Sequence, residues 1–485
     1  MYDKNIPSKP IAPTSSDQIR WDHTALRRRL IQGTWEQDLE DELYRHLPAD
    51  RREAWGVADM SSNALEQVSR QLSMLYHENP IVTHENDITE LIGREGYVTK
   101  SGFFQLMQKV QQYTIAMREC AVRIDVVSNQ NNLNRNSGIF YRVITPDFIY
   151  AEAHPDAPDE IVYFQEYRLR HNEDKETFEW IVDIFDLRNM ENPRFCMHKI
   201  NQDGSIGHDV SELYMGTPAR ENESYPYRFQ DGRPFIPIQL YRAEKTGSLW
   251  NAFDGAQLTF GTLSSAVLFS FYLHLIRDSC WAQKYVAGLQ LAGQSAIDQD
   301  SPARRASITT DPSSILVFTS DPDVTTQPLI GSFEPSADPQ KLLESIAKYE
   351  YRVATAAGIS SEVLRQSGDP RSGYALSISR DGQREAQKRY APIFRSNDEQ
   401  ILGKTAALCN QYLNTKLPED SYRVQYTQLN LSPAEMKENR EDVIQKLNAG
   451  LISPIDAIMQ LNPDLDDLEA RNELIRIRKE RAEFM

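Results

Sequence analysis

Three residues in a predicted run of strands and turns have the types that some metal-dependent nucleases use. Asp159 is followed by Glu166 and Arg168. Nucleases of the restriction type hold a metal ion with an Asp and a Glu on a hairpin, and a nearby Lys activates water. Arg168 stands where that lysine would be, and an arginine stays protonated and is a poor base. Metal-dependent DNA cleavage is therefore an alternative function and not the favoured one.

A line of basic residues marks one face of a helix that the sequence predicts over 338–357. Lys341, Lys348 and Arg352 are separated by 7 and 4 residues. At about 100° per residue, these side chains lie within about 40° of one another. The opposite face carries apolar residues: Leu342, Ile346, Val353 and Ala357. In a single monomer such a line is an ordinary solvated face, whereas in a ring it would be repeated around a channel.

Motifs of several enzyme classes are absent from the sequence. There is no GxxxxGK[ST] phosphate loop, no GxGxxG after a predicted strand, no GxSxG and no HExxH. The cysteines stand far apart and form no CxxC pair: Cys120, Cys196, Cys280 and Cys409. A structural zinc site is therefore not expected. We predict a chain that is not an enzyme and that has no cofactor and no metal site.

The composition is that of a globular protein with an acidic balance. A chain of 485 residues is long enough for about three domains of ordinary size. Charged residues make up 25% and hydrophobic residues 40%, which argues against general disorder. The net charge of −17 argues against a broad basic surface for nucleic acid, because binding to phosphates requires Lys and Arg in excess. Sparse cysteine and the absence of an apolar signal peptide fit folding in a reducing cytoplasm.

One uncharged window is long enough to cross a bilayer. Residues 255–276 contain 22 residues without a formal charge, and 13 of them are apolar. Polar residues interrupt the window, among them Thr262, Ser265 and His274. We favour a buried helix in a large assembly, and a single-span membrane protein anchored by this window stays an alternative.

Hydrophobic periodicity predicts helices at both ends of the chain and strands between them. Helical spacing is present in 20–56, 61–78 and 99–123, and strand-length runs separated by turn residues fill 121–242. Later segments predict a helix (250–285), a strand-and-loop module (291–337), a helix (338–357), a polar loop (358–373), a long helix kinked at Pro392 (374–416), a short strand (421–430) and helices (432–485). The predicted fold class is α+β.

The order of these segments resembles that of the portal proteins of tailed double-stranded DNA bacteriophages, over about residues 60–485. Short sequences add to the resemblance: LYHENPIVT, TPDFIYAEAHPDAPDEIVYF, NAGLISPIDAIMQLNPDLDD and SGYALSIS at 372–379. The last is similar to the Ser-Gly-x-Ala-Leu that follows the tunnel loop in many portals. Ser377 stands where relatives often have a lysine.

The resemblance implies a portal fold in a ring-forming subunit, with a helical stem and crown, an antiparallel β-rich wing and a small α/β clip insert. Residues 1–20 would be a flexible N-terminal arm and residues 21–250 the wing. The remaining segments would be a stem helix (251–290), the clip and its return (291–337), a second stem helix (338–357), the tunnel loop (358–373), a long kinked wing helix and strand (374–430) and a helical crown (431–485).

The function implied by the resemblance is a dodecameric ring at one capsid vertex. Double-stranded DNA would pass through the ring in packaging and ejection. Partners would be further copies of the chain, DNA, the major capsid protein, a scaffold protein, the terminase large subunit and the head-tail adaptor, with no membrane. The protein would reside in the virion, and in the host cytoplasm during assembly.

Three groups of residues would carry these contacts. In the tunnel loop, DNA would meet Arg365, Gln366, Ser367 and Arg371. In the second stem helix, the phosphates would meet the basic line of Lys341, Lys348 and Arg352. In the clip, the terminase and the adaptor would dock on Asp298, Asp300, Arg304, Arg305, Asp321 and Asp323.

Overall fold

The structure is a computed structural model, and it combines helices with antiparallel sheets. It describes residues 10–47, 58–127, 138–172, 177–211, 225–250, 255–280, 283–287, 289–291, 318–320, 329–333, 338–356, 373–427, 433–461, 470–471, 474–477 and 479. Helices and antiparallel strands both contribute large parts of these residues, so the predicted α+β class is confirmed.

The elements follow the predicted order along the chain, except that a helix begins at Ser15, inside the segment 1–20 predicted as a flexible arm, and buries Arg20 and Trp21. The helices are α1 (Ser15–Gln32), α2 (Glu36–His46), α3 (Ala64–Leu72), α4 (Thr89–Ile92), α5 (Tyr97–Lys100), α6 (Phe103–Met117), α7 (Ala256–Cys280), α8 (Pro339–Ala356), α9 (Gly373–Leu413), α10 (Pro433–Asn448) and α11 (Pro454–Leu461). The strands are β1 (Ile81–Thr83), β2 (Glu119–Val127), β3 (Gly138–Ile144), β4 (Ile149–His154), β5 (Ala157–Asn172), β6 (Thr177–Asp186), β7 (Arg194–Ile200), β8 (Ile206–Asp209), β9 (Ile238–Arg242), β10 (Gln283–Ala287), β11 (Leu289–Leu291), β12 (Phe318–Ser320), β13 (Leu329–Phe333) and β14 (Arg423–Gln425).

The chain divides into two compact units. One unit takes in Met1–Ile31, Glu66–Gly255 and Gly358–Met485, and the other takes in Gln32–Leu65 and Ala256–Ala357. The first unit contains the two larger sheets and α9. The second contains α2, α7, α8 and the short strands β10 to β13.

Two antiparallel sheets form the centre of the first unit. One has the strand order β3-β2-β9, and the other has the order β4-β5-β6-β7-β8. Trp21 of α1 is fully buried against Tyr167 of β5, with 5.1 Å between the ring centroids. Its indole nitrogen donates to the carbonyl of Ile149 at 2.8 Å, so this buried N–H has a partner.

Two helices of the first unit are shorter than their periodicity predicts. Helix α6 ends at Met117 because Arg118 adopts a left-handed conformation, φ 74°, from which the chain enters β2. Helix α3 ends at Leu72 instead of reaching residue 78. There the side chain of Gln111 accepts the N–H of Leu75 at 3.0 Å, so a side chain satisfies the donor that a longer helix would have bonded. Periodicity continues past both ends because the following residues are also buried.

The second unit is built on α7 and α8, which lie close together. Gly261 of α7 faces Val353 of α8, and a Cβ atom at Gly261 would lie 2.7 and 2.8 Å from the two methyl carbons of that valine. Ser265 of α7 donates to Glu350 of α8 at 3.0 Å. Because 261 meets 353 and 265 meets 350, the two helices run antiparallel.

The polar residues of α7 bind the chain segment that precedes α3. The hydroxyl of Thr262 accepts the N–H of Leu65 at 3.0 Å, and the hydroxyl of Ser270 accepts the N–H of Asp59 at 2.8 Å. Both hydroxyl residues are buried. The polar residues that interrupt the apolar window thus hold backbone groups within the second unit.

Helix α9 contains 41 residues and has Pro392 in its interior, as predicted. A proline ring leaves the carbonyl four residues earlier without its helical donor, here that of Lys388. Beyond the proline, Gly403 lies against the backbone of Glu419, and a Cβ atom at Gly403 would be 2.4 Å from that carbonyl oxygen. The second half of α9 is buried through Ile401, Leu402 and Ala406.

Candidate nucleic-acid interface

Helix α8 has an apolar side and a charged side, as its sequence predicts. Ile346, Val353 and Ala354 are buried. Lys341, Lys348 and Arg352 are exposed on the other side, and the side chain of Lys341 is 83% exposed. The helix therefore packs by one side and presents the three cations, here called the basic stripe, on the other.

The basic stripe has only weak local partners. The Lys341 ammonium lies 4.0 Å from Asp338, and the Arg352 guanidinium lies 5.1 Å from the ring centroid of Tyr349. In the described part of the chain, no carboxylate pairs with Lys348. Glu344 lies about 60° from Lys341 around the helix and is also exposed, so Asp338 and Glu344 are two negative charges beside the stripe. Such side chains can contact phosphates without first breaking a strong ion pair.

A β module stands between the two long helices of the second unit. Strand β10 follows α7, and β13 precedes α8. These strands pair antiparallel from Gln283↔Phe333 to Ala287↔Leu329, and β11 pairs with β12. The two helices therefore form a hairpin whose connection is a strand-containing insert, followed after α8 by the long helix α9.

Ten predicted contact residues lie outside the described residues. They are the tunnel-loop residues Arg365, Gln366, Ser367 and Arg371, and the clip residues Asp298, Asp300, Arg304, Arg305, Asp321 and Asp323. Their roles remain predictions. Of the predicted site residues, the structure describes the basic stripe.

The three nuclease-type residues each have an ionic partner and do not form one site. Asp159 pairs with Arg242, Glu166 pairs with Arg123 and Arg142, and Arg168 pairs with Asp183. Glu166 is 1% exposed, whereas Asp159 is exposed. In the part of the chain that the structure describes, no group of three or more His, Cys, Asp and Glu residues is placed to hold a metal ion. The residues that suggested a nuclease act in ion pairs.

The buried partners of Glu166 form a charged network that the sequence does not reveal. Arg123 of β2 donates to Glu166 of β5 at 2.5 Å and to Asp183 of β6 at 2.6 Å, and so links the two large sheets. Arg168 and Arg142 bind the remaining carboxylate oxygens. Burial alone lowers the pKa of Arg123, but the surrounding carboxylates hold that pKa well above its usual value. The guanidinium is therefore charged at any ordinary pH.

A second polar cluster surrounds one buried carboxyl group of α9. Asp398 accepts hydrogen bonds from the hydroxyls of Tyr76 at 2.7 Å, Tyr241 at 2.9 Å and Tyr426 at 2.8 Å. The rings of Tyr76, Tyr241 and Phe394 pack around it. Burial raises the pKa of Asp398 to about 7, against the opposing effect of the three hydroxyl donors. The three tyrosines are 28 to 322 positions from Asp398 in the sequence, so no local spacing could have predicted their hydrogen bonds to it.

The apolar window predicted as a buried helix belongs to α7. Ala256–Arg277 is long and apolar enough to cross a membrane, and 44% of its most apolar stretch is buried within the chain. Phe260 and Leu273 are each 49% exposed. Length and composition alone are weak evidence for a membrane span. Part of the apolar surface of α7 is therefore exposed in the single chain.

Comparisons with known proteins find similar structures and no sequence match. No protein-family profile matches the chain, and no curated protein does. Among solved structures, 94 chains are similar. One is from the neck of an empty gene transfer agent particle, with a TM-score of 0.42 and 11% identity over 83% of this chain and 90% of that chain. Another is from the virion of a native gene transfer agent particle, with a TM-score of 0.39 and 12% identity over the same shares, 83% and 90%. At these scores the likeness is too coarse to assign the chain to a family.

Proposed function

We propose that this chain is the portal subunit of a tailed double-stranded DNA phage or phage-like particle. The observation that carries the proposal is the helical hairpin of α7 and α8 with a strand-containing insert at its connection, followed by the long helix α9. A ring of such hairpins would form the stem of a channel. The insert would then project from one end of the stem as the clip.

The uncharged surface of α7 supports a ring. The exposed apolar side chains Phe260 and Leu273 would be buried against neighbouring subunits, which explains an apolar helix without a membrane. The basic stripe on α8 would then be repeated around the axis. A chain with net charge −17 makes the ring repel DNA as a whole, so scattered cations would give only weak, sequence-independent phosphate contacts. Weak contacts suit a duplex that must slide.

The remaining roles follow from this assignment. The tunnel loop at 358–373 would narrow the bore, and the clip at 291–337 would dock the terminase large subunit during packaging and the head-tail adaptor afterwards. The ring would occupy one capsid vertex beside the major capsid protein, after assembly with a scaffold protein in the host cytoplasm. The protein would serve as a conduit and a docking platform without enzymatic activity.

The mass of the purified protein tests the proposal directly. Light scattering should give a mass near twelve chains of 55.7 kDa, about 670 kDa, and negative-stain images of the same peak should show rings with an axial hole. The portal proposal would be contradicted if the protein stays monomeric both alone and in the presence of capsid and scaffold proteins. Metal-dependent cleavage of linear DNA that Glu166→Gln abolishes would support the nuclease, and partition into detergent micelles would support the membrane protein.

The basic stripe gives a second prediction. The triple substitution Lys341→Gln, Lys348→Gln and Arg352→Gln should leave the ring mass unchanged, because these side chains are exposed and their ion pairs contribute little to stability. Packaged DNA length and packaging efficiency should change. Binding of a short duplex to the ring should lose salt dependence, with the slope of log K against log salt falling by about 0.9 for each phosphate contact removed.

A matched control separates the stripe from the general effect of charge. Lys388→Gln removes one exposed cation from α9, where the side chain is 76% exposed and pairs with Glu385. This variant should bind and package DNA as the wild type does. Equal behaviour of the triple variant and the wild type would remove the stripe from the proposal.

A further inference from the structure

A cavity of about 420 Å³ lies within the first unit, apart from the basic stripe. Strand β9 and the segment before it form one wall, and the first residues of β5 contribute to the rim. Helix α9 forms the facing wall with residues at helical spacing: Ile393, Ser396, Asn397, Gln400 and Lys404. This volume is within the range of about 300–1,000 Å³ that small ligand sites occupy.

Lys404 brings a positive charge to the cavity without a negative partner. Its ammonium donates to the carbonyl of Ile238 at 2.8 Å and to the side-chain oxygen of Gln239 at 3.0 Å. An ammonium has three donors, so one remains after these two bonds. No carboxylate pairs with Lys404 among the residues that the structure describes. Burial lowers the pKa of this lysine to about 8, so at neutral pH most molecules carry a desolvated charge there.

The same wall of the cavity presents an edge of a β-sheet. Among the strands that the structure describes, β9 pairs with β2 on one side and with no strand on the other. The N–H of Ile124 donates to Pro237, and the N–H of Ala243 donates to Arg118, so the odd-numbered residues of β9 bond to β2. The even-numbered residues face the other way, as the bond from Lys404 to the Ile238 carbonyl shows. The N–H and C=O of Leu240, which also lines the cavity, lie on that free edge.

The other lining residues supply apolar walls and a positive rim. Phe235, Ile236 and Ile393 are among the apolar residues of the lining. The lining contains four cationic residues and two carboxylates. The cationic residues are Arg233, Arg242, Lys245 and Lys404, and the carboxylates are Asp159 and Glu160. Arg242 and Lys245 both lie against Asp159, and Arg233 is paired with Asp231 outside the lining, which leaves the excess positive charge to Lys404. A negatively charged guest with apolar neighbours fits this lining.

We propose that the cavity binds an acidic peptide segment of a partner protein, with a carboxylate on the ammonium of Lys404, backbone hydrogen bonds to Leu240, and an adjacent apolar side chain between Phe235 and Ile393. Addition of a peptide to a strand edge supplies hydrogen bonds that do not depend on sequence. The carboxylate supplies the selectivity, because a glutamine in its place leaves the ammonium without a charge partner. This site does not depend on the ring, and its test can fail while the portal proposal stands.

Two matched peptides test the site on the full-length protein. Acetyl-Leu-Glu-Leu-amide should bind at least about tenfold more tightly than acetyl-Leu-Gln-Leu-amide, as expected for one charged hydrogen bond, in calorimetric titration at pH 7. The preference should shrink as the pH rises above about 8, where the free lysine loses its proton. Lys404→Met should abolish the preference, and Lys388→Met on the exposed side of the same helix should preserve it.

A cavity-filling variant keeps the test decisive if Lys404→Met does not fold. Ser396→Phe retains Lys404 and places a ring in the cavity, so it should weaken binding of both peptides. Equal binding of the Glu and Gln peptides, or no binding at millimolar concentration, would overturn the proposal. So would hexanoate binding as tightly as the Glu peptide, which would indicate a small carboxylate ligand. A fall in the mass of the assembly on adding the Glu peptide would indicate that a second copy of this chain occupies the cavity. That result would also overturn the proposal that a partner protein binds there.

Discussion

Replacing Arg123 by methionine should lower the free energy of unfolding of the first unit by about 3–5 kcal/mol. The side chain of Arg123 is 2% exposed, and it binds Glu166 and Asp183, which are 1% and 0% exposed. Methionine fills a similar volume, but it removes the cation that both buried carboxylates bind. An uncompensated buried charge destabilises much more than the loss of an exposed ion pair does. Urea unfolding followed by tryptophan fluorescence measures the change.

Two comparisons identify the charge as the cause. Arg188→Met removes an arginine that pairs with two carboxylates, Asp186 and Glu152, but whose side chain is 51% exposed. That variant should lose less than about 1 kcal/mol. In a background with Glu166→Gln and Asp183→Asn, the Arg123→Met substitution should cost less than in the wild type, because the two fully buried partners of Arg123 are then uncharged. Equal losses at Arg123 and Arg188 would contradict the role given to the network.

Substituting Asp398 by asparagine should change how stability depends on pH. The pKa of Asp398 is about 7 in the folded chain and about 3.8 as an ordinary carboxyl, so between these values the folded state holds a proton that the unfolded state has released. This group therefore contributes stability at acidic pH that is lost as the pH rises through about 4 to 7. Between pH 5 and pH 8 the wild type should lose about 2 kcal/mol relative to Asp398→Asn.

The measurement is the difference in unfolding free energy between the two proteins at each pH. Other groups that titrate in this range, Lys404 among them, are common to both proteins and cancel. Asp186→Asn is the matched control, because its partner Arg188 holds the pKa of Asp186 below the usual value. Its titration is complete below pH 5, so its difference from the wild type should be constant from pH 5 to pH 8. A constant difference for Asp398→Asn as well would show that the buried carboxyl does not titrate there.

The sequence predicts the order of the elements because periodicity and helix-ending residues are local signals. The cap before Pro339, the kink residue Pro392 and the helix start at Pro454 can all be read from a few neighbouring residues. The ends of α3 and α6 cannot, because Gln111 and the left-handed Arg118 determine them through contacts and conformation that periodicity does not encode.

The residues of the candidate site also differ in whether local sequence can predict them. The basic stripe is a property of one helix, so the sequence predicts both its face and its exposure. The Arg123 network and the Asp398 cluster join strands and helices that are far apart in the chain. The sequence alone does not show that these residues contact one another. The nuclease interpretation grouped Asp159, Glu166 and Arg168 by their positions in the sequence, whereas Glu166 binds Arg123, a residue 43 positions away.

The close approach of Gly261 and Val353 has a consequence for the divergence of related chains. A methyl group at position 261 would collide with the valine, although alanine is favoured over glycine in a helix by about 1 kcal/mol. A smaller residue at position 353 would remove the collision and leave a void that an alanine at position 261 fills. Each change alone is unfavourable and the two together are compatible, so in homologous sequences these positions should covary as a pair, glycine with valine and alanine with alanine.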